Sequence, residues 1–283
     1  MIRYKKTTIL ILLALGLFSF NTSLNKIMHG KSNVALAQQI NQSSTSTASN
    51  GPNSEFESRK EALSDALNAS HDELNELKDE INAERVDSDA WQKIKVELLN
   101  QADKLQAYYD EIGGKLNDKN IDSESIKSLA NELKSWREKT FREYLKKSIN
   151  FILIFEEANL LKIADSRSDK ISSDISRLEK QSISKSKSLK PLFDQAQTHL
   201  KLAHDLNDGA KKLLYNYFEL SSQQAADTKT SKGETELQTE LPEIIQTEKK
   251  PTDPQEIIRD MSQKSLEELK TAYTIFVKMS KAL

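Results

Sequence analysis

The residues of this chain that could do chemistry are four histidines, a pair of adjacent glutamates and a few lysine clusters, and their spacing decides what chemistry is open to them. His199 and His204 are five apart. On a helix that is about 500° of rotation, so the two rings point roughly 140° apart, whereas a zinc-binding pair four residues apart shares one face. His71 stands beside Asp72 and Glu73, but successive helical residues diverge, so this trio is expected on a solvated polar face. His29 lies in the N-terminal region. Glu156 and Glu157 follow an apolar run as the carboxylates of a di-iron bundle would, yet neither has a histidine three positions on, where Asn159 and Leu160 stand. With seven glycines there is no phosphate-cradling loop and no Gly-x-Ser-x-Gly elbow, and without cysteine there is neither a thiol nucleophile nor a disulfide. The expectation is a protein with no catalytic, metal or cofactor-binding residues, and hence no cofactor. An enzyme with an unrecognised site is the most distant alternative.

Lys146-Lys147, Lys211-Lys212 and Lys185 to Lys190 are basic clusters that read as solvated helix faces, suited to a polyanion if folding joined them. Tyr108-Tyr109 and Tyr215-Asn216-Tyr217-Phe218 hold several of the aromatics. On each helix one ring, Tyr109 or Tyr217, falls on the apolar stripe, which turns Tyr108 and Tyr215 outward as possible partner anchors. In 283 residues, 41 Lys+Arg oppose 43 Asp+Glu for a net charge of -2, which removes the broad attraction that nucleic acids and anionic membranes require. No nucleic-acid partner is expected, and membrane contact is expected only through an N-terminal anchor.

That anchor is read from residues 1–20. A basic head, Met1-Ile2-Arg3-Tyr4-Lys5-Lys6, precedes an apolar run to Phe20, the layout of an export signal. The run falls short of the roughly 20 apolar residues of a membrane span. Ala35-Leu36-Ala37 fits the small-x-small cleavage rule but lies well past the run. Residues 21–54, rich in Ser, Thr, Asn and Gln, predict a disordered tether spanning roughly 30 to 35 Å.

From residue 55 to 283 apolar residues recur every three or four positions, which predicts an all-α, antiparallel bundle of five to seven helices. The first stripe is Leu63, Leu67, Leu74, Leu77 and Ile81, ending near Val86. The second runs from Trp91 through Ile94, Leu98, Ala102, Leu105 and Tyr109 to Ile112, entered near Asp87-Ser88 and capped by Gly113-Gly114. The third starts after Asp122-Ser123 and runs long or kinks near Ser148. Ile149 to Phe155 has one polar residue in seven and predicts a central helix, because charged helical segments flank it and no partner strand is evident. Pro191 suits the first turn of a further helix with the stripe Leu192, Ala196, Leu200, Ala203, Leu206, Ala210, Leu213, Tyr217 and Leu220. Residues 221–252 predict a long mobile loop. Asp253-Pro254-Gln255-Glu256 then opens a last helix with Ile258, Met261, Leu269, Tyr273, Phe276 and Leu283 on one face.

The head Met1 to Lys6, the run ending Ala14-Leu15-Gly16-Leu17-Phe18-Ser19, the polar tether and the Lys/Glu/Asn/Ser-rich helical body resemble the all-helical outer-surface lipoproteins of Borrelia, the Lyme disease spirochaetes. Leu17-Phe18-Ser19 matches the first three positions of a lipobox, but Phe20 occupies the place of its lipidated cysteine, so no thioether anchor can form on this chain. The resemblance implies display on the outer cell surface and binding of host proteins, with no binding motif to assign to particular residues. The alternative expectation is a periplasmic or secreted structural protein that pairs with itself through a helical face as a homodimer.

Overall fold

The computed structural model describes residues 52–181, 185–227 and 253–282, and every regular element among them is helical. They are α1 (Pro52–Ala83), α2 (Asp89–Leu116), α3 (Ser123–Trp136), a π-helical turn (Arg137–Phe141), α4 (Arg142–Lys180), α5 (Lys185–Asp227) and α6 (Pro254–Ala282). The fold is an all-α helical bundle. The predicted export signal, the tether up to residue 51, most of the loop before residue 253, and Leu283 lie outside the described residues.

Two compact units divide the chain: residues up to Glu73 with Ala107–Lys134, and Leu74–Gln106 with the chain from Ser135. In the first unit Leu63, Ala66 and Leu67 of α1, Tyr109, Ile112 and Leu116 of α2, and Ile126, Leu129 and Leu133 of α3 are buried. Asp122 caps α3, its carboxylate accepting from the Ser125 backbone N–H at 2.8 Å, which satisfies one of the orphan donors of the first turn.

In the second unit the contacts fix the directions. Lys147 opposes Tyr217, Asn207 reaches Ile154, and Asp165 meets His204, so α4 and α5 run antiparallel. Ser265 pairs with Ala203 and Glu268 with His199, so α5 and α6 do too. Lys146 bonds Asp253 and Asn150 bonds Gln255, which makes α4 and α6 parallel neighbours. The segment Ile149–Phe155 is the centre: all seven residues are buried, including Asn150. Trp91 of α2 packs its ring on Phe151 and Phe155, with centroids 6.4 and 5.1 Å away. Burying a single such side chain contributes about 1.5–3 kcal/mol, enough to override the helix-neutral propensity of Ile and Phe.

Several boundaries depart from expectation. α1 begins at Pro52, inside the predicted tether, where a proline's missing N–H is harmless in the first turn. Gly113 and Gly114 lie inside α2, which ends at Leu116 with the Asn117 N–H donating to the Gly113 carbonyl at 3.2 Å. Ile112 and Leu116 are both buried one turn apart, and that burial carries the helix through the glycines. Of the two outcomes expected for the third helix it is the long run that holds, continuing through the π turn to Lys180; no kink falls at Ser148, which sits fully buried beside the Tyr144 hydroxyl in regular helix. Pro191 stands inside α5 rather than in its first turn, with its own ring exposed and Leu189 and Phe193 buried on either side to hold the helix. α5 continues to Asp227, so residues 221–227 are helix and not loop. Toward its end the buried face of α5 is Leu214 and Phe218, not Leu213 and Tyr217, because the inward direction follows the face that meets α4.

The start of α6 matches its sequence signal. Asp253 Oδ1 accepts from the Gln255 N–H at 3.0 Å, its carbonyl accepts from Glu256 at 2.9 Å, and Oδ2 takes Lys146 Nζ at 2.8 Å. Gly209 of α5 faces Met261 of α6 so closely that a Cβ there would overlap the Met261 methyl. Nothing lies near a Cβ added at Gly113 or Gly114. Gly113→Ala and Gly114→Ala are therefore expected to raise stability by about 0.5–1 kcal/mol each, and Gly209→Ala, where the Met261 methyl must first swing aside, to raise it by less, as read by urea denaturation.

Candidate functional site

The residues singled out by sequence do not converge. His71 of α1 lies edge-on to the Tyr109 ring at 5.5 Å, with Nε2 3.4 Å from Asp110 Oδ1, so it is a half-buried interhelical group rather than part of a solvated trio with Asp72 and Glu73. His199 and His204 do point apart: the first meets Glu268 of α6 at 2.5 Å and the second Asp165 of α4 at 2.9 Å. No group of three or more His, Cys, Asp or Glu able to hold a metal occurs among the described residues.

Lys146 is neutralised by Asp253 and Glu143, Lys147 lies over the Tyr217 ring at 5.2 Å, Lys211 lies over Phe155 at 5.6 Å, and Lys190 pairs with Asp194. The side chains of Lys185 and Lys187 lie outside the described residues. Tyr109 is core as expected, and Tyr108 is half-buried with its hydroxyl donating to Glu132 at 3.3 Å; burial and that carboxylate push the Tyr108 phenol up to about 12. Tyr215 donates to Glu219 at 3.0 Å and sets its ring edge-on to Trp91 at 5.9 Å. Tyr217 is half-buried and Phe218 takes the core position expected for it.

The unusual chemistry is inside the second unit, where two polar layers cross an otherwise apolar interior. In the first, Asn150 of α4 gives its amide N–H groups to the Gln255 side chain at 2.6 Å and the Gln255 carbonyl at 3.0 Å, both residues being buried. In the second, Glu157 of α4 is fully buried among Asn207 of α5 and Ser262 and Ser265 of α6. Those neighbours are engaged elsewhere: Asn207 donates to the Ile154 carbonyl at 3.0 Å and Ser265 to the Ala203 carbonyl at 2.6 Å. Neither carboxyl oxygen of Glu157 receives a hydrogen bond of good geometry, and the Ser262 hydroxyl is likewise unpartnered. Burial pushes Glu157 up to about 7, against the smaller opposing pull of Ser265, Asn207, Lys211 and Ser262. A protonated carboxyl is the species that suits such a place, since its O–H can donate to a hydroxyl and it carries no charge to desolvate.

Glu84 shows a related effect at a different spot. Burial, then the neighbouring Glu156, raises it to about 7, with Lys95 opposing. Burial raises Glu156 as well. Lys95 Nζ meanwhile donates to the Glu84 and Asn82 carbonyls, each at 2.8 Å, closing the α1–α2 turn.

Sequence reasoning singled out Glu156-Glu157 but tested the pair only as metal ligands. The spacing that held the signal was the seven-residue step from Asn150 to Glu157 on α4 and from Gln255 to Ser262 on α6, which returns polar residues to one face. The class that the fold defines is a helical bundle with buried polar layers. No protein-family model matches the chain, and neither a curated protein nor a solved structure does.

Asn150→Ala leaves the Gln255 acceptors unpaired in the core and is expected to cost about 1–3 kcal/mol in urea denaturation. Asn150→Leu combined with Gln255→Leu is expected to cost less than the sum of the single replacements, because both halves of the polar pair are removed together.

Proposed function

We propose that the chain is an exported helical protein, displayed on the outer cell surface, that works by binding host proteins and not by catalysis. The observation that carries this reading is the order of segments in the sequence: a cationic head, an apolar run to Phe20, a polar stretch and then the helical body. The likeness to spirochaetal outer-surface lipoproteins supports it. With Phe20 in the lipobox position, attachment depends on something other than a thioether, such as retention of the apolar run itself.

A helical bundle suits recognition, since its long faces offer side chains at regular spacing without any need for a cleft. Half-buried aromatics with polar tips, such as Tyr108 and Tyr215, are the side chains on these faces best suited to anchor a partner. Brief protease treatment of intact cells tests display: the helical body is expected to be digested while cytosolic proteins survive. Protection of the body until the envelope is broken would contradict surface display and favour the periplasmic, self-associating alternative.

A further inference from the structure

Every histidine among the described residues faces a carboxylate on another helix. In the second unit the two such contacts both leave α5, one toward α6 (His199 to Glu268) and one toward α4 (His204 to Asp165). His199 and its partner are about a quarter exposed, so the pair is partly shielded from solvent. One to two turns further along α5 lies Asn207, against the buried Glu157 of α4 and the Ser262 and Ser265 hydroxyls of α6. Glu157 thus sits where the three helices α4, α5 and α6 meet.

We propose that the docking of α6 onto α4 and α5 is tightened by acid: the Glu157 carboxyl, fully buried between these helices with neither oxygen hydrogen-bonded, carries a proton at mildly acidic pH, and loss of that proton above neutrality loosens α6.

The charge facing Glu157 opposes its protonation but is the weaker influence. Lys211 of α5 faces Glu157 and favours its ionised form, but burial outweighs it, and α6 offers only hydroxyls at that point. His199 meets Glu268 from α6, while the α4 side presents uncharged Ser168, which accepts from Gln197. His204 meets Asp165 from α4, whose neighbour Arg167 lies over Tyr273 of α6 at 5.7 Å.

The sign for Glu157 follows from its elevation to about 7 from an ordinary 4.5. Its contribution is fully present below about pH 4.5, where both folded and unfolded chains are protonated, and drains away as pH climbs through about 7. Opposing groups act elsewhere on the scale. Burial would raise Asp253, but Lys146 and the Gln255 N–H outweigh it and lower the carboxyl, so its contribution fails only as pH falls through the low carboxylate range.

Hydrogen–deuterium exchange of the full chain at about pH 5.5 and about pH 8, corrected for intrinsic rates, tests the proposal. Amides of α6 are expected to lose protection by roughly 10-fold or more at the higher pH. Glu157→Gln is expected to remove that loss. Unchanged α6 protection in the wild type, or an equal loss in Glu157→Gln, overturns the proposal. Should Glu157→Gln fail to fold, calorimetric unfolding of Glu84→Gln with Glu156→Gln near pH 6, in buffers of different ionisation enthalpy, decides instead: about one proton released on unfolding supports the proposal, and none released or net uptake overturns it.

Discussion

The second unit depends on one constraint, that the run Ile149–Phe155 must leave water on every side of its helix. A helix with a polar flank can be satisfied by one neighbour, but one buried all round must be enclosed. Trp91 of α2 closes over Phe151 and Phe155, α5 brings Asn207 to the Ile154 carbonyl and Lys211 over Phe155, and α6 brings Gln255 and Ser262. The arrangement of the other elements follows from covering that segment.

Much of this was legible in the sequence because helical periodicity is a local signal. The stripe Leu63, Leu67, Leu74, Leu77 and Ile81 is buried without exception, as is the one from Trp91 to Ile112, and the Asp253-Pro254 start of α6 behaves as its residue types require. What failed were the places where a distant contact overrules local preference. Gly113-Gly114 read as a stop until Leu116 is seen to be buried beyond them, and Pro191 read as a start until Leu189 is seen to be buried before it. The register of α5 past Ala210 depends on where α4 lies, which no window of α5 residues contains.

The interior chemistry was half legible. Asn150 and Glu157 are visible as polar interruptions in an apolar stretch, but the sequence cannot show that their counterparts stand more than a hundred residues later on α6. Nor can it show that Asn207 and Ser265 turn donors to the Ile154 and Ala203 carbonyls beside Glu157, whose carboxyl oxygens receive no hydrogen bond of good geometry. The divergence of His199 and His204, which argues against a shared metal, also lets one helix grip two neighbours at once.

The amide pair Asn150–Gln255 and the notch at Gly209 that admits Met261 act together as a ruler between helices distant in the chain. Sliding α6 by one turn would strand an amide in hydrocarbon and drive a thioether into backbone. The alignment of α6 is therefore written on its own contact face, and the stretch from residue 228 to 252 is left free to change in length or content over evolutionary time without misplacing the helix that follows it.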